Sequence, residues 1–407
     1  MTFLEFAREN VRWLSAGVLI TGATGFGQTF YISIFAPHFR EEFSLSHGDW
    51  GLIYMIATLA SAAAITQTGR LSDHFRARTL APAVILLFAL VCVGVSLTTS
   101  VVFFAFLIFG LRWCGQGMLS HIGVVAMGKW FRAGRARALA MANLGFSAAE
   151  AALPALALSL IAVVGWRTTW QLSAIALLIV APIIWVLLLR ERSPKATAEE
   201  QGGPGILENR HWTRTEMMRT WLFWAMFPGL IALSWIGTVV FFQIAPLTEE
   251  KGWDMFAYAA TAYPVFSALA VLSSFFIGSW ADRVGALHLL PYYLLGWAIA
   301  CVLIGAADSL QFGIFAMAVA GVGTASAMIV VGAIFAELYG ARHLGGIKAI
   351  YAAGSVLASA LGPGASGLML DAGVSVSAQL FGMGLVLLAL CVWFWFIRAH
   401  IRRVAVN

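Results

Sequence analysis

RERSPKATAEEQGGPGILENRHWTRTEMMRT (190–220) is the one long polar stretch in a chain of 407 residues. It is rich in charges and contains Gly202-Gly203-Pro204-Gly205, the composition of a linker. The chain on either side is dominated by long apolar runs. The whole chain is 61% apolar and 11% charged, whereas a soluble domain has about 45–50% apolar and about 25% charged residues. With a mean hydropathy of +0.86, no water-soluble fold covers this surface, which excludes an ordinary soluble enzyme. The 29 Phe and 16 Trp exclude disorder. The sequence predicts an integral membrane protein.

A helix needs about 20 apolar residues to cross the hydrocarbon core. On that criterion twelve spans are predicted: 14–36, 49–68, 79–98, 101–126, 136–163, 168–189, 221–246, 257–280, 287–306, 310–335, 346–369 and 376–397. The runs are continuously apolar, whereas barrel strands alternate in polarity over about ten residues, so the fold class is all-α. With the N-terminus in the cytoplasm, 21 of the 25 Lys and Arg fall on the cytoplasmic side. Only Arg40, Arg167 and Lys251 fall opposite, and Arg112 lies inside a span. Both termini are therefore expected in the cytoplasm. The first apolar run follows a charged N-terminus without a small-residue cleavage site, so it reads as a retained span. Dispersed basic residues at span ends suit a bilayer surface and argue against nucleic acid as a partner.

The linker separates six spans from six, giving domains 1–189 and 221–407 around 190–220. The halves align at a constant shift of 209 residues. Ala36-Pro37 falls on Ala245-Pro246, Tyr54 on Tyr263, Gly69 on Gly278, Asp73 on Asp282, Gly145 on Gly354 and Pro154 on Pro363. Two parallel six-span repeats make a transporter architecture. The four cysteines, Cys92, Cys114, Cys301 and Cys391, lie in apolar runs without metal-binding spacing and are expected as packing residues. Neither a cofactor nor a metal is expected.

Between spans 2 and 3, GRLSDHFRAR (69–78) resembles the signature loop of the major facilitator superfamily, G-x-L-x-D-x-x-G-R-R. Gly69, Leu71, Asp73 and Arg78 match, while Arg76 and Ala77 depart from it. The loop recurs as GSWADRVG (278–285), with Asp282, Arg283 and Gly285 matching. The resemblance implies that Gly69, Asp73 and Arg78, with Gly278, Asp282 and Arg283, gate the cytoplasmic side. Asp73 is expected to accept from a helix N-terminus or to pair with Arg78, and Gly69 to pack on a helix of the other half. The bland alternative is a solvated positive-inside loop.

Charges within spans are costly and mark functional candidates. Arg112 in span 4 and Glu150 in span 5 sit deep, each about 21 Å from the cytoplasmic end at 1.5 Å per residue. They are expected to approach each other, either as transport groups or as a static pair fixing two helices. Arg112, followed by Gly115 and Gly117, resembles the superfamily's R-x-x-x-G-x-G motif, although the glycines come one residue early. The resemblance implies a role in proton coupling. Glu150 shares a helix face with Asn143, Ser147 and Pro154. His121 faces away from Arg112 and is expected to be structural. Thr21, Thr24, Gln28 and Tyr31 form one polar stripe on span 1, and span 7 offers Ser234 and Thr238. Since spans 1, 4, 7 and 10 line the cavity in this superfamily, the resemblance points these groups at substrate; helix-packing glue is the alternative. Gly362, Pro363 and Gly364 in span 11 read as a hinge or close-contact segment.

The expected function is secondary active transport of a small solute by alternating access, coupled to protons, by a monomer in the inner membrane. One buried cation in span 4 suggests a small anion. GWRTTW (165–170) and the span 11 Gly-Pro segment are similar to the oxalate/formate and monocarboxylate branch. That branch adds basic residues in spans 8 and 11; here span 8 has none, and Lys348 lies at the mouth of span 11. A proton-driven drug or metabolite exporter is the second reading, although Leu153-Pro154 replaces its usual Gly-Pro. An enzyme is disfavoured, as the chain has no HExxH and no nucleotide-binding loop.

Overall fold

The computed structural model describes residues 3–131, 134–190 and 205–406. Arg132 of the basic loop and 191–204 of the linker, including Gly202-Gly203-Pro204, fall outside the described residues. Among the described residues all regular structure is helical. The chain forms two compact units, Met1–Ala198 and Glu199–Asn407.

In the N-terminal unit, span 1 is a bent pair, Val11–Gly27 and Thr29–Phe43, with 46° between the pieces. Span 2 begins at His47 behind a capping box in which Ser46 and Asp49 satisfy each other's backbone N–H groups. Span 3 is Ala77–Leu97, and span 4 runs Val101–Trp130. Spans 5 and 6 are two parts of one helical run, Arg135–Leu187, broken at Gly165. Gly165 takes φ 79° and ψ 162°, a backbone region that side chains disfavour. The chain reverses there: Ala142 of span 5 and Leu187 of span 6 both meet the early part of span 1, through Thr21 and Arg12. At the other end Arg167 reaches Glu42 at 2.7 Å and the carbonyls of Ser96 and Thr98 at 2.8 and 3.1 Å.

In the C-terminal unit, span 7 is Trp221–Phe242, continued by Ile244–Lys251. Spans 8, 10, 11 and 12 are Met255–Val284, Leu310–Tyr339, Leu344–Asp371 and Val376–Val406. The predicted span 9 (287–306) is a short helix, Ala286–Leu289, followed after a turn by Leu295–Ala306. Pro291, which has no N–H to donate, stands in the irregular turn before it. With that short apolar helix, the bent pair and the break at Gly165, the described helices account for twelve spans. The aligned Ala-Pro pairs mark the same joint in both units: Ala36–Phe43 and Ile244–Lys251 are each the last helical piece of a first span. All four cysteines are free and buried.

The predicted linker packs in part on the unit that follows it. Its second part is built into the C-terminal unit, because span 10 ends with carbonyls that need donors. Ile206, Leu207 and Trp212 donate their N–H groups to the carbonyls of Glu337, Leu338 and Tyr339 at 2.8, 3.2 and 2.9 Å. Leu207 and Trp212 are buried there, and the Trp212 indole donates to Leu207 at 3.1 Å. Arg210 lies 4.0 Å over the Trp212 ring and bonds Glu208 and Glu216 at 2.8 and 2.7 Å. Glu216 closes a capping box with Thr213. This strap is invisible to a composition argument, because its polar side chains serve backbone and each other.

The Thr213 hydroxyl and N–H, then Arg210, lower the Glu216 carboxyl from its ordinary 4.5 to about 2. A depressed carboxylate stabilises the fold fully above its unfolded value, and the contribution disappears as pH falls through the folded one. The strap is therefore expected to hold above about pH 4.5 and to loosen toward pH 2. Hydrogen-exchange protection of Ile206, Leu207 and Trp212 measures this, and Glu216→Gln should lose the protection at neutral pH.

Candidate functional site

Span 4 leaves α geometry for a π-helical segment, Arg112–Leu119, and span 1 leaves it for a 3₁₀ turn, Thr24–Gly27. The two distortions fit one another. A Cβ on Gly27 would strike the Leu111 carbonyl and come within 2.9 Å of Gly115; one on Gly115 would lie 2.7 Å from Gly27 Cα. Only bare backbone allows this approach. Among the described residues neither feature recurs in the C-terminal unit, where Trp221–Phe242 and Leu310–Tyr339 are unbroken α-helices. Single π turns inside helices frequently mark functional sites.

Arg112 lies at this seam, 0% exposed. Its Nη1 donates to the Gly27 carbonyl at 2.9 Å and its Nε to Thr58 Oγ1 at 3.2 Å. The guanidinium sits 5.0 Å from the Tyr54 ring, and the Tyr54 hydroxyl pairs with Thr29 at 2.7 Å. Its Nη2 has no hydrogen-bond partner among the described residues. The ring and the carbonyl offset part of the buried charge; a desolvated cation–π contact contributes about 2 kcal/mol. Tyr54, Thr58 and Gly27 were not candidates from sequence. Tyr54 stood out only as a mark of the repeat.

Among the described residues no salt bridge joins Arg112 to Glu150. Arg112 bonds to Gly27 and Thr58, while Glu150 is buried at 8% exposure in span 5. The turn of span 1 touches both of their helices: Gly27 packs on Leu111 and Gly115 of span 4, and Gly25 on Ala149 and Leu153 of span 5. Around Glu150, Asn143 is exposed and Ser147 half-buried, whereas Pro154 is buried.

The polar stripe on span 1 also changes, because it assumed a continuous helix. Thr24 is 1% exposed and donates back to the Thr21 carbonyl at 2.5 Å. Tyr31 is 2% exposed, hydrogen-bonded to Ser173 at 2.6 Å and edge-on to Trp170. Both are therefore internal to their unit as described. Gln28, at the extended residue of the break, is half-buried.

The loop residues behave differently from the expectation as well. Asp73 pairs with Lys129 of span 4 at 3.3 Å, not with Arg78. Lys129 also donates to the Ser72 carbonyl at 2.7 Å. Arg78 lies over the Trp185 ring at 4.7 Å and reaches the Leu189 carbonyl at 3.5 Å. The close neighbour of Gly69 is His121 of its own unit, which hydrogen-bonds the Gly69 carbonyl at 3.1 Å. In the C-terminal loop Asp282 and Arg283 are exposed and Gly278 is loosely packed. There Glu337 of span 10 accepts from the N–H of Ala286 at 2.7 Å and from that of Leu287 at 3.4 Å. An acid at a span end reads as an ordinary interfacial charge, so Glu337 carried no signal in the sequence. Since the Asp73–Lys129 pair is exposed, its coupling in a double-mutant cycle of Asp73→Asn with Lys129→Ala should be about 0.2–1 kcal/mol. Thermal denaturation of the four proteins measures it.

In the C-terminal unit, Thr238 bonds the Ser234 carbonyl at 2.7 Å and the Ser359 hydroxyl at 2.8 Å, tying span 7 to span 11. Gly362 is a close-contact residue, its missing Cβ replaced by Trp235 and Val239. A cavity of about 220 Å³ opens among spans 7, 10 and 11, lined by Leu230, Leu233, Met328, Lys348 and Tyr351. Lys348 spans its polar side, donating to the Gly332 carbonyl at 2.8 Å.

The family model for the Major Facilitator Superfamily matches residues 17–271 and 256–406. The chain belongs to this superfamily. As a major facilitator it is a multi-pass membrane transporter of small molecules, not an enzyme. Solved structures agree on the fold. A bacterial homologue of the human lysosomal transporter Spinster, inward-facing and unoccupied, superposes with TM-score 0.71 at 15% identity, covering 97% of this chain and 96% of that one. The inward-facing, occupied form gives TM-score 0.67 at 15% identity, covering 98% and 97%. No sequence among the curated proteins matches the chain.

Proposed function

We propose that this major facilitator is a proton-coupled secondary active transporter of a small organic anion, such as a monocarboxylate, working by symport. The observation that carries the reading is Arg112. It is a wholly buried guanidinium held by neutral acceptors, with Nη2 unpartnered. Guanidinium binds carboxylate in a two-pronged fashion, and a substrate carboxylate supplies the missing acceptor and the missing charge. Lys348, held among the described residues by a carbonyl alone, offers a second cation on the cavity of the other unit. Glu150 is the proton carrier in this reading, and Gln28, Asn143 and Thr238 line the pathway. The spread of basic residues supports cytoplasmic termini and the inner membrane, and the transporter works as a monomer.

The experiment is a thermal-shift screen of small carboxylates, amino acids, sugars and drugs, followed by counterflow in proteoliposomes. A ligand bound by the folded state alone raises its apparent stability. A carboxylate should give both the shift and the counterflow, and Lys348→Ala should weaken its half-saturation several-fold. The mainly apolar lining by Leu230, Leu233 and Met328 favours a second reading, proton-driven efflux of a drug or metabolite. Shifts by apolar cations with none by carboxylates would select that reading and sink the first.

A further inference from the structure

The short helix Arg214–Arg219 leads into span 7. Together with Ile350 of span 11 it encloses a pocket of about 540 Å³, lined by Arg214, Thr215, Met218, Arg219 and Ile350. Both arginines are exposed, and among the described residues no acid or carbonyl takes either of them. The acid of that helix is committed elsewhere, since Glu216 turns to Thr213 and Arg210. The matching joint of the N-terminal unit shows the contrast. There Arg12 is taken up by the carbonyls of Leu187 and Val186, the latter at 2.8 Å. The C-terminal unit thus presents two guanidiniums to a pocket that supplies no anion.

We propose that this pocket binds the headgroup of an anionic phospholipid. Guanidinium groups match phosphate oxygens in two-pronged geometry, and the Thr215 hydroxyl adds a donor. Met218 and Ile350 give the pocket an apolar floor, which suits a glycerol backbone carrying acyl chains and not a free ion. Trp221 and Trp224, 57% and 49% exposed, follow within the next turns and mark the headgroup level, where indoles gather. Basic pockets beside spanning helices at a membrane face are known lipid-headgroup sites. This site stands apart from Arg112 and from the transport reading, and either can fail without the other.

The test uses the full chain, purified and delipidated in a neutral detergent, with dioleoyl phosphatidylglycerol as probe and phosphatidylcholine as control. Native mass spectrometry should show a retained one-to-one phosphatidylglycerol adduct, and its retention should fall at least tenfold in Arg214→Gln/Arg219→Gln. Neutralising Arg398 and Arg402, at the end of span 12, should leave it unchanged. If the double variant does not fold, a photo-crosslinking phosphatidylglycerol on the wild type decides: labelling must map to 214–219 or to Ile350. Equal retention of the two lipids, unchanged retention in the folded variant, or labelling elsewhere overturns the proposal. Displacement by glycerol phosphate at the potency of the lipid overturns it too, since the pocket would then read a soluble anion.

Discussion

Glu150→Gln should keep substrate counterflow in proteoliposomes and lose accumulation driven by a pH gradient, to below a tenth of the wild-type level. Glutamine imitates the protonated carboxyl at nearly constant volume, so the substrate step survives while the proton step does not. Arg112→Ala should lose both activities, because it removes the buried cation and strands the Gly27 carbonyl and Thr58 hydroxyl that it serves. A static ion pair predicts another pattern, in which Arg112→Met with Glu150→Leu restores what each single change destroys. Rescue by the double change would make the two residues scaffold and remove both from the transport step. If Glu150→Gln concentrates substrate at the normal rate, proton coupling resides elsewhere.

Gly27→Val should be the most damaging apolar substitution near Arg112. Its Cβ would enter the space of the Leu111 carbonyl and of Gly115. These are backbone atoms, which cannot rotate away as a side chain would. Overpacking of this kind costs about 1–3 kcal/mol, and here it also separates the Gly27 carbonyl from Arg112. The expected result is a lowered melting temperature together with loss of counterflow. Gly382→Ala is the control, since a Cβ there meets nothing within 4 Å. Equal melting temperatures for the two variants would show that the seam tolerates separation.

The fold was legible because it depends on quantities that survive averaging over long stretches. Apolar run length, the polar break at 190–220 and the constant shift of the repeat do not require any helix to be straight. The burial of Arg112 and Glu150 was legible for the same reason, since depth along a span is a count of residues. The partners of Arg112, Gly27 and Thr58, were not. Which face a residue occupies follows from 3.6-residue periodicity, and that bookkeeping fails across the turn at 24–27 and the π segment at 112–119. The stripe through Tyr31 failed at the same break. The early glycines of the span 4 motif were the available hint of altered winding. The strap at 205–213 escaped for another reason: its contacts are made largely by backbone N–H groups, which every residue but proline possesses.

The turn at Gly165 bears on how the protein is made. With a single non-helical residue between them, spans 5 and 6 have no loop to thread and form one helical hairpin. The tip of that hairpin carries Arg167, and a charge at mid-membrane is costly to carry across. On arrival the cost is relieved by the carbonyls of Ser96 and Thr98 and by Glu42. All three belong to segments synthesised earlier, at the far ends of spans 3 and 1. The order of translation therefore has the receptors for this charge waiting before the charge itself leaves the ribosome.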